Sequence, residues 1–186
     1  MPTQKPSQNA AQPCAKGEGC VHDDLRADKL HEGWGFWVGT WNVDSLTDRA
    51  GELVEALVDR EVDLGCIQEM RWRGSSCSFF GAQGKRYKRF WMGGKDRSDG
   101  VGMFVAEKWV DSVVKVEGHS ERVLILKMVL DSVLLNVLMV YAPHSGKPEE
   151  EKENFWNELF HLVSCIPHNE MVVLAGDMNG HIGGNN

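Results

Sequence analysis

Three short apolar runs in this chain each end in acidic or amide side chains, and that repetition restricts the fold more than any other feature. Residues 35–41, GFWVGTW, lead to Asn42-Val43-Asp44. The run Leu64-Gly65-Cys66-Ile67 leads to Gln68-Glu69, and residues 171–175, MVVLA, lead to Gly176-Asp177-Met178-Asn179. Buried strands read as short apolar runs of this kind. A single acid at a strand end is most simply a turn former or a helix cap. Carboxylates at the carboxyl ends of several buried strands, in contrast, are placed to meet at one edge of a sheet. Convergent oxygen donors are what a hard cation such as Mg²⁺ requires.

The segments between these runs read as one α/β domain without internal repeats. Leu46, Ala50, Leu53, Val54 and Leu57 recur at helical spacing. After Glu69, glycine, serine and basic residues predict a long loop. Strands are expected at about 87–92, 100–106, 122–130 and 133–141, the last two joined tightly by Asp131-Ser132. Pro148 suits a first helical turn, Phe155, Leu159, Leu162, Val163 and Ile166 mark one helix face, and Pro167 ends it. Residues 1–33 carry few large apolar groups and are expected to be a disordered tail. Cys14, Cys20 and His22 lie within it, but their spacing lacks the paired pattern of a zinc site.

The formal charge is −7, from 20 Lys plus Arg against 27 Asp plus Glu, so attraction to phosphate must be local. Such a region exists. Arg71, Arg73, Lys85, Arg86, Lys88, Arg89, Lys95 and Arg97 face one acid, Asp96, and Trp72, Phe79, Phe80, Tyr87, Phe90 and Trp91 interleave with them. That mixture suits a surface that pairs phosphates and stacks on bases, with Arg71, Arg73, Arg86 and Lys88 as candidate nucleic-acid contacts. It equally suits a strand with aromatics inward and solvated charges. The five cysteines lack the dense spacing of a secreted scaffold, so free thiols in a reducing compartment are expected. The amino terminus shows no signal-peptide core. Residues 123–142 are broken by Lys127, Asp131, Ser132 and Asn136, which excludes a membrane span because each charge at a bilayer centre costs about 2.5–3.5 kcal/mol.

Asn42 in TWNVDSL, Glu69 in IQEM, Tyr141 in VYAP, and Asp177 with Asn179 in GDMNG stand in an order that resembles the endonuclease/exonuclease/phosphatase superfamily, the DNase I-like fold. The likeness is strongest to the apurinic-type endonuclease domains of non-LTR retrotransposons and to the craniofacial development protein 2-like group. It runs over roughly 35–183, including the GVGMF strand, Ser120 and Arg122 of SERVLIL, and the EEEKENFW helix. The resemblance implies a four-layer α/β/β/α sandwich over residues 34–186, truncated at the carboxyl end. It also implies a DNA-nicking phosphodiesterase that uses Mg²⁺, with Mn²⁺ as the alternative, and resides inside the cell, in the nucleus. DNA is the implied partner, and a membrane is not.

By that resemblance Glu69 is the principal metal ligand, with Asp44 and Asn42 beside it in the acidic pocket. Asp177 orients or deprotonates the attacking water, Asn179 holds phosphate or that water, and Tyr141 contacts the scissile phosphate. These residue types suit the reaction: hydrolysis of a phosphodiester needs an aimed water and neutralised oxygens, and amide and phenol groups donate hydrogen bonds without adding negative charge. Taken alone, Tyr141 could equally be a strand-end aromatic that seals the core. Two departures stand out. His144 replaces an asparagine common in apurinic endonucleases, and no segment with the family's closing Asp-His pair follows Asn186. His181 reads as a solvated turn residue and not as that histidine. The departure predicts an uncovered sheet edge or apolar face, and a rate lowered by several orders of magnitude. The alternative function is a catalytically inactive truncated or domesticated protein that binds nucleic acid or another partner. A phosphatase for inositol phosphates or sphingolipids on the same fold is disfavoured by the likeness to retrotransposon domains.

Overall fold

In a computed structural model of the chain, residues 35–82, 84–94 and 99–180 are described. The tail assigned to 1–33, with Cys14, Cys20 and His22, lies outside the described residues, as do Lys95, Asp96, Arg97 and His181.

The elements in chain order are β1 (Val38–Asn42), α1 (Ala50–Asp59), β2 (Leu64–Gln68), β3 (Gly74–Ala82), β4 (Lys85–Gly93), β5 (Val101–Ala106), β6 (Val113–Ser120), β7 (Val123–Leu130), β8 (Val133–Tyr141), α2 (Glu149–Ser164) and β9 (Met171–Asp177). A short 3₁₀ helix, Glu107–Ser112, links β5 to β6. One sheet has the order β1-β2-β5-β4-β3 and the other β6-β7-β8-β9. Only β1 with β2 and β8 with β9 run parallel; the remaining pairs are antiparallel. The parallel pairs follow from the chain: a helix, α1 or α2, carries each crossover. β7 and β8 are joined by Asp131-Ser132 with Leu130 opposite Val133, the tight hairpin the sequence predicts.

Strand alternation builds the layers. Cys66, Met103 and Val105 of one sheet and Leu124, Leu126, Met128, Val137 and Met139 of the other share the core between the sheets. The next residues along the same strands face outward. Ile67 and Phe104 receive Leu53, Val54 and Leu57 of α1, while Val123, Leu138 and Val140 receive Phe155 and Leu159 of α2. The result is helix, sheet, sheet, helix. Cys66 is buried, Cys77 and Cys165 are exposed, and all three are free. Among the described residues no helix is long and apolar enough to cross a membrane.

Several expectations differ from the structure. The first and last apolar runs are not buried strands: β1 and β9 lie at sheet edges, with Trp41 of β1 and Met171, Val172 and Leu174 of β9 exposed. The long loop after Glu69 is short, because β3 forms from Gly74 onward and pairs with β4 throughout. β3 is an edge strand, so Ser75, Ser76 and Ser78 need no apolar face, and the apolar signature of a strand is missing. β6 was not anticipated either; its pairing with β7 shifts register between Val113 and Lys115 and again between Gly118 and Ser120, which breaks alternation. Pro148, at φ −53° and ψ 145°, is the extended residue preceding α2 and not part of its first turn.

Candidate active site

Because β1 and β2 run parallel in one sheet and β8 and β9 run parallel in the other, four carboxyl ends deliver Asn42, Glu69, Tyr141 and Asp177. They meet. The Asn42 amide donates to Glu69 Oε1 at 2.8 Å and to Asp177 Oδ2 at 3.3 Å, joining the two sheets. The Tyr141 hydroxyl donates to the same Glu69 oxygen at 2.8 Å. Asp177 Oδ1 accepts from the Asn179 main-chain N–H at 2.9 Å, and the Asn179 amide donates to the Ala142 carbonyl at 2.6 Å. Asp44 is set beside Asn42 by its own N–H, which donates to Asn42 Oδ1 at 3.2 Å.

Local backbone explains how these side chains turn inward. Asp44, Glu69, Arg71 and Asn179 have φ of 58°, 55°, 57° and 45°, left-handed values that change the direction of the chain at each strand end. Main-chain bonds hold the Glu69 bend: Met70 donates to Gly100 at 3.1 Å and Arg71 to Asp99 at 2.9 Å.

Arg71, a candidate nucleic-acid contact in the sequence, turns into the acidic cluster. Its guanidinium pairs with Asp44 Oδ1 and lies 3.6 Å from Glu69 Oε2. Partial burial pushes the Glu69 carboxyl up, yet the bonds from Asn42 and Tyr141 and the charge of Arg71 outweigh it and hold its pKa below the ordinary value. The Tyr141 phenol is raised, first by desolvation and then by its bond to the Glu69 carboxylate, so it stays a donor. Tyr141 also belongs to the core between the sheets, so one side chain both packs the interior and bonds Glu69. Behind it the buried Arg122 donates to the Tyr141 carbonyl at 3.3 Å, pairs with Asp99 at 3.1 Å and Glu151 at 3.2 Å, and lies 5.1 Å from the ring centroid. The SERVLIL segment named Arg122, but nothing local in sequence reveals this brace.

The basic residues divide. Arg71 reaches the cluster, and Arg73 lines a cleft that Arg71 also lines, whereas Arg86 and Lys88 lie apart from both. Lys88 is opposite Val105, and Val105 is opposite Leu64, the first residue of β2, so both cations stand toward the end of the sheet away from Glu69. Arg86 pairs with Glu107 at 3.0 Å and lies 4.5 Å from the Phe79 ring centroid; Lys88 lies 5.4 Å from that of Phe90. His144 is exposed and its Nδ1 accepts from the Gly146 N–H at 3.1 Å, a turn contact.

Among the described residues no three His, Cys, Asp or Glu side chains group closely enough to hold a metal by themselves. Glu69 and Asp44 do offer oxygen donors only, and the Arg71 guanidinium already stands against both, where a metal ion would have to displace it. Two carboxylates suit Mg²⁺, which keeps several waters and takes further oxygens from a phosphate.

Residues 39–183 match the Endonuclease/Exonuclease/phosphatase family. Craniofacial development protein 2 of Tragulus javanicus is 25% identical over 150 residues, covering 80% of this chain and 25% of that protein. The chain thus spans about a quarter of the length of the curated relatives it matches. Two solved structures share the fold. An AP endonuclease from Archaeoglobus fulgidus superposes with a TM-score of 0.51 at 20% identity, covering 78% of this chain and 58% of that one. A 3′ phosphatase from Neisseria bound to a product DNA hairpin gives 0.53 at 19% identity, covering 78% and 58%. With a DNase I-like layering of two sheets between helices and the family's residues over 39–183, the chain belongs to the endonuclease/exonuclease/phosphatase family.

Proposed function

We propose that this chain is a DNA-nicking endonuclease of retrotransposon origin that hydrolyses phosphodiesters with Mg²⁺. The observation that carries this reading is the Asn42 amide bound to both Glu69 and Asp177, which unites acids from two sheets into one cluster. Glu69 and Asp44 would hold the cation, which would supply charge neutralisation at the phosphate oxygens. Asp177 orients the attacking water and takes its proton, Asn179 donates the amide N–H not used by Ala142 to the phosphate, and Tyr141 turns its single O–H from Glu69 to the phosphate. Arg73, exposed two residues along from Arg71, pairs a backbone phosphate. A neighbour on the same fold that holds a DNA hairpin supports DNA as the substrate.

The purified chain is expected to nick supercoiled plasmid in Mg²⁺, to stop in EDTA, and to lose about a hundredfold or more as Glu69→Ala. Nicking that survives EDTA or the substitution removes the catalytic reading. One observation favours a second reading, a non-catalytic nucleic-acid-binding protein: Arg71 already neutralises Asp44 and Glu69 and opposes a metal there. Salt-sensitive DNA retention without nicking selects it.

A further inference from the structure

Between the amino-terminal end of α1 and the β3–β4 hairpin lies a cleft of about 640 Å³ that the acidic cluster does not use. Small-ligand sites are of this size, about 300–1,000 Å³. Trp72, Phe80 and Trp91 form its apolar wall, and Arg71, Arg73 and Arg89 bring cations to it. The hairpin register explains the space. On the outward face Trp91 stands opposite Ser76, and Arg89 opposite Ser78, so small side chains leave room where a larger pair would fill it.

The wall is ordered. Trp72 and Trp91 meet edge to face with centroids 5.3 Å apart. The Arg89 guanidinium lies 4.9 Å from the Trp72 centroid, 5.1 Å from that of Phe80 and 5.5 Å from that of Trp91. Its Nε donates to Ser78 Oγ at 2.7 Å, and among the described residues no carboxylate pairs with it. Burial holds its pKa below the ordinary value. A partly desolvated cation without an anion is costly, which makes an incoming anion welcome. Among the described residues the one carboxylate at the rim, Asp48, is on the α1 side and directs an anion to the hairpin side. Arg71 lines the cleft while its guanidinium touches Asp44 and lies 3.6 Å from Glu69, so the cleft opens one side chain away from the candidate active site.

We propose that this cleft binds one unstacked base of a single-stranded or locally opened DNA, its ring against Trp72 and Trp91 and its phosphate on Arg73 and Arg89. The inference rests on the proposed function, since the strand held here is the one presented to Glu69 and Asp177. A π surface joined to unpaired guanidinium groups matches a nucleotide, which brings both a ring and an anion. An acidic peptide brings only charge.

The test measures binding of the full chain in EDTA to a short labelled single-stranded oligodeoxynucleotide and to an abasic sugar-phosphate oligomer of equal length and charge. The base-containing strand is expected to bind about five- to a hundredfold tighter. Trp91→Leu erases that preference, Arg73→Gln and Arg89→Gln weaken both oligomers, and an iodouracil-bearing strand cross-links to Trp72 or Trp91 under ultraviolet light. Should Trp91→Leu fail to fold by circular dichroism, the cross-link and the exposed Arg73→Gln variant still decide. Equal affinity for the two oligomers, no binding to either, cross-links elsewhere, or equal competition by polyglutamate overturns the proposal. If the base preference holds but plasmid nicking fails, the catalytic reading falls and the cleft stands. Nicking without the preference removes the cleft alone.

Discussion

At Arg71 two tendencies oppose each other. Its φ of 57° is strained, and its Nε is buried without a hydrogen-bond partner, yet its guanidinium is held by Asp44 and Glu69. The Asp44 side chain is 84% exposed and that of Arg71 42%, so solvent screens their pairing and leaves it worth roughly 0–1 kcal/mol. Arg71→Gln should therefore change the urea midpoint little. It removes the one cation that, among the described residues, stands against the candidate metal ligands, so Mn²⁺ or Mg²⁺ titrated calorimetrically should bind several-fold more tightly than to the parent chain. Unchanged or weaker binding means that Arg71 does not compete for those carboxylates. Tyr141→Phe isolates the other neighbour of Glu69. It deletes the 2.8 Å bond at the cost of about 1 kcal/mol in stability while the ring still fills the core. Plasmid nicking should fall by tenfold or more, and an unaltered rate removes the phenol from the reaction.

At the scale of elements, the pairing of β9 with β8 sets the position of Asp177. Gly176 sits opposite Val140 with φ 150°, and an added Cβ would collide with the Val140 carbonyl oxygen. Gly176→Ala must push β9 from β8 just where the acid emerges, and a loss of about 3 kcal/mol or more is expected in urea denaturation. Gly51→Ala is the contrasting case. It lies in α1 with open space where the Cβ would go, so helix propensity should add about 0.5–1 kcal/mol. The same contrast separates what the sequence reveals from what it hides. Strands buried on both faces, such as β2 and β8, announce themselves by apolar runs that stop where a polar side chain must reach solvent, which made Glu69 and Tyr141 legible as strand ends; β1 and β9 are exposed edge strands whose apolar runs still marked Asn42, Asp177 and Asn179. β3 was illegible because an edge strand tolerates Ser75, Ser76 and Ser78. β6 was illegible because its two register shifts break alternation. The ties of Arg71 to Asp44 and of Arg122 to Tyr141 depend on left-handed bends and on contacts between distant segments, which no local pattern encodes. Arg86 and Lys88 looked equivalent to Arg71 and Arg73 only because charge in a sequence carries no record of which end of a strand bears it.

The two sheets of the whole molecule share one interior, and Cys66 of β2 lies within it. Full burial pushes its thiol from 9.0 to about 12, because a thiolate there would have no water around it. A raised folded pKa for an acid contributes stability that is complete below the unfolded value of 9.0 and drains away as pH rises toward about 12. Each unit of that gap is worth about 1.4 kcal/mol. Stability measured by urea denaturation is thus expected to hold from neutrality to about pH 9 and then to fall, with the fall reduced in Cys66→Ala. Thiol chemistry reads the same property more directly. Near neutral pH the exposed Cys77 and Cys165 should react at once with a disulfide reagent, whereas Cys66 reacts only when the sheets separate. A slow phase that matches the unfolding rate and vanishes in Cys66→Ala is the expected outcome. Rapid reaction of Cys66 in the folded chain would mean that the sheets open locally at β2, and with them the platform that aligns Glu69 with Asp177.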